Sequence, residues 1–361
     1  MSATRPRTVV VTGGSSGLGR ATALEFARRG WNVALIARGP KGLAAAAAEV
    51  EAAGGRALVL PLDVSDARAV DAAADRVARE FGGIDVWVNA AAVTVYAPFH
   101  ELSAEEFRRV TEVDYLGSAY GIRAALRHMR RRGRGHIVQV GSVLSQRAVP
   151  LQAAYCGAKY GVRGLLDTLN AELRHERSRI RTTIVQPPGM NTPFFDHARN
   201  RMPRRPMPTP PVYEPEVAAR AIWRATIERP RELWVGSITT VSAVGHVLAP
   251  GTMDRVLGRI GYRGQQAGER RRPTDPDNLF RPLDDGGRIH GRFGRHALDT
   301  GSAVQPARVR LMLALAGAGT VAALAAGAVA RRRRVPGLAG RAGRPAAAGE
   351  RADQATLAAV R

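Results

Sequence analysis

Residues 8–19 read Thr-Val-Val-Val-Thr-Gly-Gly-Ser-Ser-Gly-Leu-Gly, and residues 20–29 follow as a helical run stopped by Gly30. A stretch of β-formers entering a glycine-rich turn and leaving as a helix is the opening of a βαβ unit. Such a unit commits the strands around it to a parallel sheet, because parallel neighbours need a crossover connection. Gly13, Gly17 and Gly19 allow the backbone to approach a pyrophosphate closely, and Ser15, Ser16 and Leu18 belong to the same turn. The positive end of the following helix supplies N–H donors for such an anion.

The pattern then repeats. Strands are expected at 31–37, 56–64, 84–89, 136–142, 181–186 and 232–236, with helices at 43–53, 70–81, 155–175 and 216–227. A longer helix is expected from Ser103, an N-cap with Glu106 three residues on, toward Arg130-Arg-Arg132. Alternation at this spacing predicts an α/β, doubly wound parallel sheet (Rossmann) forming a single domain over 1–240. Nine prolines between 187 and 215 forbid regular helix there and suggest a lid. Residues 241–308 read as partly helical and then, from 265, as a poorly ordered basic linker rich in Arg, Asp, Gly and Pro. Residues 309–330 include twenty uncharged positions, 311–330, long enough to cross a bilayer, although nine are Ala and three Gly. They read as a transmembrane or an oligomerising helix, followed by a basic disordered tail over 331–361.

The net charge of +23 raises the question of a nucleic acid partner. Of the 54 basic residues only Lys41 and Lys159 are lysines, which reflects a coding bias toward Arg rather than a phosphate-binding face. No zinc-finger spacing, basic zipper or RNA-binding aromatic motif accompanies the charge, so no nucleic acid partner is expected. The single cysteine, Cys156, excludes an internal disulfide. With no charged-then-apolar leader at the first residues, a cytoplasmic protein is expected, membrane-associated if the C-terminal helix inserts.

Tyr155 and Lys159, four apart, share one face of a helix, and Ser142 lies thirteen residues earlier at the end of a strand. A free tyrosine titrates near about 10, and a nearby ammonium favours its phenolate. Such a trio can move a proton on or off a C–O group while hydride moves at carbon. Where a basic residue suffices this chain uses Arg, so Lys at 159 points to a role for a compact ammonium. At the end of the second strand, Ala37-Arg38 lacks the carboxylate that would accept the ribose 2′-OH of NAD. Arg38 can instead pair with a phosphate, which favours NADP(H).

Thr12-Gly-Gly-Ser-Ser-Gly-Leu-Gly19, Asp63-Val64, Asn89-Ala-Ala, Ser142 and Tyr155-x-x-x-Lys159 together resemble the classical short-chain dehydrogenase/reductase family over roughly residues 6–240. The resemblance implies Tyr155 as general acid/base, Ser142 holding the substrate oxygen, and Lys159 binding the nicotinamide ribose while depressing the tyrosine pKa. It implies Gly13, Gly17, Leu18 and Gly19 along the pyrophosphate and Asp63 and Val64 at the adenine. Asn89, Ala90 and Ala91 would lie on the adenosine ribose side, and Pro187, Gly189 and Thr192 would border the nicotinamide. It implies a small-molecule alcohol or carbonyl substrate, a homo-oligomer and no metal. Three positions depart from the family pattern: Asp114 where an asparagine anchors a relay water, Ala92 in place of glycine, and Pro188 inserted before Gly189. Asp114 and the altered Asn89-Ala-Ala-Ala92 are the basis of a rival reading, a membrane-tethered dinucleotide-binding protein without catalysis.

Overall fold

Thr8–Thr12 (β1), Asn32–Ala37 (β2) and Arg56–Pro61 (β3) alternate with helices Gly17–Ala27 (α1) and Pro40–Ala52 (α2). Val9, Val10 and Val11 show why this stretch is a strand: successive side chains point to opposite faces, and both faces are buried. The chain continues through Ala67–Phe81 (α3), Val86–Asn89 (β4), Ala104–Thr111 (α4), Gly117–Arg132 (α5) and Gly135–Val140 (β5). Ala153–His175 (α6), Ile180–Gln186 (β6), Pro215–Glu228 (α7) and Glu232–Val235 (β7) complete the repeating units. Strand order is β3-β2-β1-β4-β5-β6-β7, all parallel, and Ala303–Val304 (β8) adds an antiparallel strand beyond β7. Val10 feeds a core formed with α3, α5 and α6, whereas Val9 and Val11 face α1, α2 and α7. The sheet is therefore covered on both sides, as the alternation predicts. The order reverses between β1 and β4, and ligands of such sheets bind at the carboxyl ends of the strands beside that reversal.

The computed structural model describes residues 6–307, 309 and 311. Met1–Val309 forms one unit; the second, Arg310–Arg361, lies outside the described residues apart from Leu311. Apart from residues 309 and 311, the expected helix at 309–330 and the tail at 331–361 thus fall outside the described residues. No described helix is long and apolar enough to cross a membrane.

Several elements differ from the expectation. The Ser103 capping box forms as read, with Glu106 N–H on Ser103 Oγ and Ser103 N–H on Glu106. The helix it starts is interrupted by a π turn, Glu112–Leu116, which carries Asp114. Single π turns inside α-helices often mark functional positions. The stretch at 241–265 is largely two helices, Ser237–Leu248 (α8) and Pro250–Ile260 (α9).

The expected poorly ordered linker over 265–308 is also corrected. Gln266–Arg270 pairs with Arg204–Pro206, Ala297–Leu298 pairs with Val212–Tyr213, and β8 joins the main sheet. Leu279 is fully buried in the same core as Ile36 and Val113. Composition fails here because the segment needs no core of its own. It docks a few apolar side chains, Leu279, Ile289 and Ala303, on cores that already exist and pairs charges with loop and helix residues such as Arg199, Asp196 and Glu216.

Candidate active site

A cavity of about 500 Å³ opens at the carboxyl ends of β1, β4 and β5. Its floor is the glycine-rich turn. Gly13 and Gly17 have φ of 71° and 53°, the left-handed region that favours glycine. A Cβ on Gly13 would stand 2.9 Å from the Ala91 backbone, and one on Gly19 would stand 2.2 Å from the Gly13 carbonyl oxygen. Thr12 Oγ1 ties the turn to the chain after β4, accepting from Ala90 N at 3.0 Å and Ala91 N at 3.2 Å. Ser15, Ser16 and Leu18 line the same cavity. The Ser16 side chain does not cap α1, and no acidic residue lies in the first turn. A helix N-terminus without a built-in anion is suited to a pyrophosphate. The groove, kept open by glycines where side chains would fill it, fits a dinucleotide.

At the far end the cavity meets Arg38, Asp63 and Val64. Asp63 is held by its neighbours: Oδ1 accepts from Ser65 N at 3.0 Å and Ser65 Oγ at 2.8 Å, and Oδ2 pairs with Arg109. Burial raises its pKa, but the Ser65 and Arg109 interactions outweigh burial and hold the carboxyl below the usual range. Arg38 is not an open cation: its guanidinium donates to the carbonyl oxygens of Asn278 and Leu279. Ala90 and Ala91 line the cavity, but Asn89 does not. The expectation for Asn89 is corrected. Its side chain faces inward, accepting from Trp87 Nε1 at 2.7 Å and donating to Ser118 O and Gln139 Oε1 at 3.1 Å each. Asn89 braces β4 against α5 and β5.

The structure brings Ser142, Tyr155 and Lys159 together. Ser142 follows β5, and its N–H donates to Gln186 Oε1 at 2.8 Å, which fixes the loop that presents the hydroxyl. Tyr155 and Lys159 sit one turn apart on α6, with the Lys159 Nζ 5.3 Å from the phenol ring centroid. Lys159 is 2% exposed and donates to Val140 O at 3.2 Å. Asp114 lies behind the trio, 0% exposed, with Oδ1 accepting from Val93 N at 2.8 Å. Its Oδ2 is buried with no hydrogen-bond partner among the described residues.

These burials set the electrostatics. Desolvation pushes the Asp114 carboxyl up to about 7, with Lys159, the Val93 amide and Arg109 pulling the other way. Desolvation lowers Lys159, and Asp114 opposes it. Tyr155 is raised, chiefly by burial and then by Asp114, while its hydrogen bond with Ser142 lowers it. The expectation that Lys159 depresses the tyrosine therefore does not describe the balance of the protein's own groups. The physical reason is burial of the phenol, reinforced by the carboxyl at position 114, whose charge opposes a phenolate.

Pro187, Gly189 and Thr192 border the cavity after β6, with Thr192 packed against Gly17. The far wall is apolar: Leu144, Val149, Phe194, Ile238, Val241 and Leu257. Phe194 also packs on Tyr155, ring centroids 5.6 Å apart. Sequence reasoning missed Gln186, Arg109, the α8–α9 wall and residues 278–288. Gln186 directly precedes the noted Pro187-Pro188 and was within reach; the others are joined to the site only by tertiary packing.

The short chain dehydrogenase family model matches residues 7–203. An uncharacterized oxidoreductase, YxnA, from Bacillus subtilis is 30% identical over 290 residues, 80% of this chain and 81% of that protein. 3beta-hydroxysteroid dehydrogenase 1 from Eggerthella lenta is 38% identical over 228 residues, 61% of this chain and 87% of that protein. Among solved structures, levodione reductase aligns with a TM-score of 0.50 at 33% identity, covering 53% of this chain and 75% of that one. With a family match over more than half its length, placed on a doubly wound sheet and its glycine-rich cleft, the chain belongs to the short chain dehydrogenase family.

Proposed function

We propose that the chain is an NADP(H)-dependent oxidoreductase interconverting a lipophilic alcohol and the corresponding carbonyl compound. The observation that carries this reading is the convergence of Ser142, Tyr155 and Lys159 at one end of the glycine-floored cavity, beside an apolar wall. When bound, a nicotinamide dinucleotide supplies the hydride acceptor or donor and, oxidised, a positive charge beside Tyr155. Its holders would be Gly13, Ser15, Ser16, Gly17, Leu18 and Gly19 for the pyrophosphate, and Arg38, Asp63, Val64, Ala90 and Ala91 for the adenosine. Lys159, Pro187, Gly189 and Thr192 would hold the nicotinamide half. Arg38 is the basis for NADP(H).

Ser142 Oγ donates a hydrogen bond to the substrate oxygen, and Tyr155 Oη exchanges the proton with it. In oxidation the alcohol O–H proton passes to the tyrosinate, the C–H bond breaks with its electron pair leaving as hydride, and C=O forms. Because protein groups raise Tyr155, that proton transfer at neutral pH draws on the positive charges of Lys159 and the oxidised ring. Leu144, Val149 and Ile238 suit an apolar ring or chain, consistent with a hydroxysteroid dehydrogenase among the relatives.

The test is a screen of lipophilic ketones by loss of NADPH absorbance, repeated with Tyr155→Phe. Turnover that falls by at least about a thousandfold in the variant, with NADPH binding retained, supports the reading. A folded wild-type chain that binds the dinucleotide and reduces no ketone would favour a dinucleotide-binding protein without catalysis.

A further inference from the structure

Residues 278–288 lie across the adenosine end of the cavity. Leu279 anchors them, fully buried, and arginines clamp the backbone. Arg38 holds Leu279 O at 3.3 Å and Asn278 O, Arg109 Nε holds Leu279 O at 3.0 Å, and Arg20 holds Gly286 O at 3.0 Å. Farther along, Gly17 N donates to Arg288 O at 2.9 Å, so the strap reaches the glycine-rich turn itself. Between these clamps the half-buried Asp284 meets the start of α2. Its Oδ1 accepts from Lys41 N at 2.8 Å and Gly42 N at 3.3 Å, the first-turn N–H groups of α2. A Cβ on Gly39 would stand 2.9 Å from the same oxygen, so the carboxylate lies directly against the residue after Arg38.

We propose that Asp284 is a specificity-determining residue: its carboxylate occupies the subsite of the adenosine 2′-phosphate, so that NADP(H) must displace it and NAD(H) need not. The inference rests on the oxidoreductase reading and on Arg38 as the marker of the 2′ end. The two helix-terminal N–H groups, which follow Arg38 by three and four residues, form an anion site, and an anion of the chain is already seated there. A 2′-phosphate and this carboxylate cannot share it, because both are anionic and both need the same donors. For NAD(H) the situation reverses. The end of β2 carries no carboxylate to accept the ribose 2′-OH, and Asp284 brings one from the far end of the chain. Arg38 and Asp284 thus pull cofactor choice in opposite directions.

The experiment is a fluorescence titration of the full chain with NADPH and NADH, for wild type, Asp284→Ala and Asp284→Asn. The asparagine variant keeps an acceptor for Lys41 N and Gly42 N and removes only the charge. The expected result is NADPH binding at least about tenfold tighter in both variants, with NADH unchanged or weaker. Wild type that binds a dinucleotide while the variants leave the NADPH/NADH ratio unmoved overturns the role of Asp284 and leaves the enzyme reading standing. Equal changes for both cofactors also overturn it, since they report loosening of the strap. A folded wild type that binds neither cofactor removes both readings together.

Discussion

Replacing Asp114 with asparagine isolates the least expected electrostatic feature of the site. The carboxyl is 0% exposed and titrates at about 7, raised by burial from an ordinary 3.8. Between about pH 4 and 7 the native state keeps this proton and the unfolded chain releases it. Unfolding therefore becomes easier as pH rises, by about 1.4 kcal/mol per unit. Over the window the group removes on the order of 4 kcal/mol, the loss being complete above the folded pKa. In Asp114→Asn the amide keeps an oxygen to accept from Val93 N–H and carries no charge at any pH. Chemical denaturation of both proteins at pH 4.5, 6 and 8 should show the variant gaining relative stability at each step. A second consequence concerns Tyr155, which Asp114 raises. In the same variant the rising limb of the alcohol-oxidation pH profile should move to lower pH. A wild-type-minus-variant stability difference flat with pH, together with an unmoved profile, would refute the assignment of a buried, late-titrating carboxyl.

Gly19→Ala places a methyl 2.2 Å from the Gly13 carbonyl oxygen, so the turn must open. Destabilisation of about 1–3 kcal/mol is expected by denaturation, with NADPH affinity reduced at least about tenfold by titration. Leu279→Ala removes a fully buried anchor and should cost about 2–5 kcal/mol in the same assay. The variant should also become open to trypsin at Arg288, read by mass spectrometry of early fragments; an unchanged digestion pattern would mean that the arginine clamps alone hold the strap.

Much of the fold was legible because it is written in local signals. The β1 valines bury both faces of a strand, the Ser103–Glu106 pair caps a helix within four residues, and Gly13 and Gly17 form the tight turn between strand and helix. Ser142, Tyr155 and Lys159 were legible for the same reason: the last two share a helix face, and the first lies just past the end of a strand. Asn89 was misread because its motif position says nothing about which side of β4 its amide faces. The packing of Trp87, Ser118 and Gln139 decides that.

By itself, then, the sequence determined the parallel sheet, the glycine-floored groove and the cluster of Ser142, Tyr155 and Lys159, all features set by periodicity and by neighbours within a few turns. Only the tertiary structure decided what lies against them. The carboxyl at 114 is drawn into a dry interior that raises its pKa and, through it, that of Tyr155. Residues 278–288, too polar to form a core alone, acquire a place because Leu279 and three arginines attach them to a sheet built by the first 240 residues. Asp284 reaches the start of α2, against Gly39, only through that docking, since burial and long-range pairing are properties of the assembled core rather than of any local run of residues.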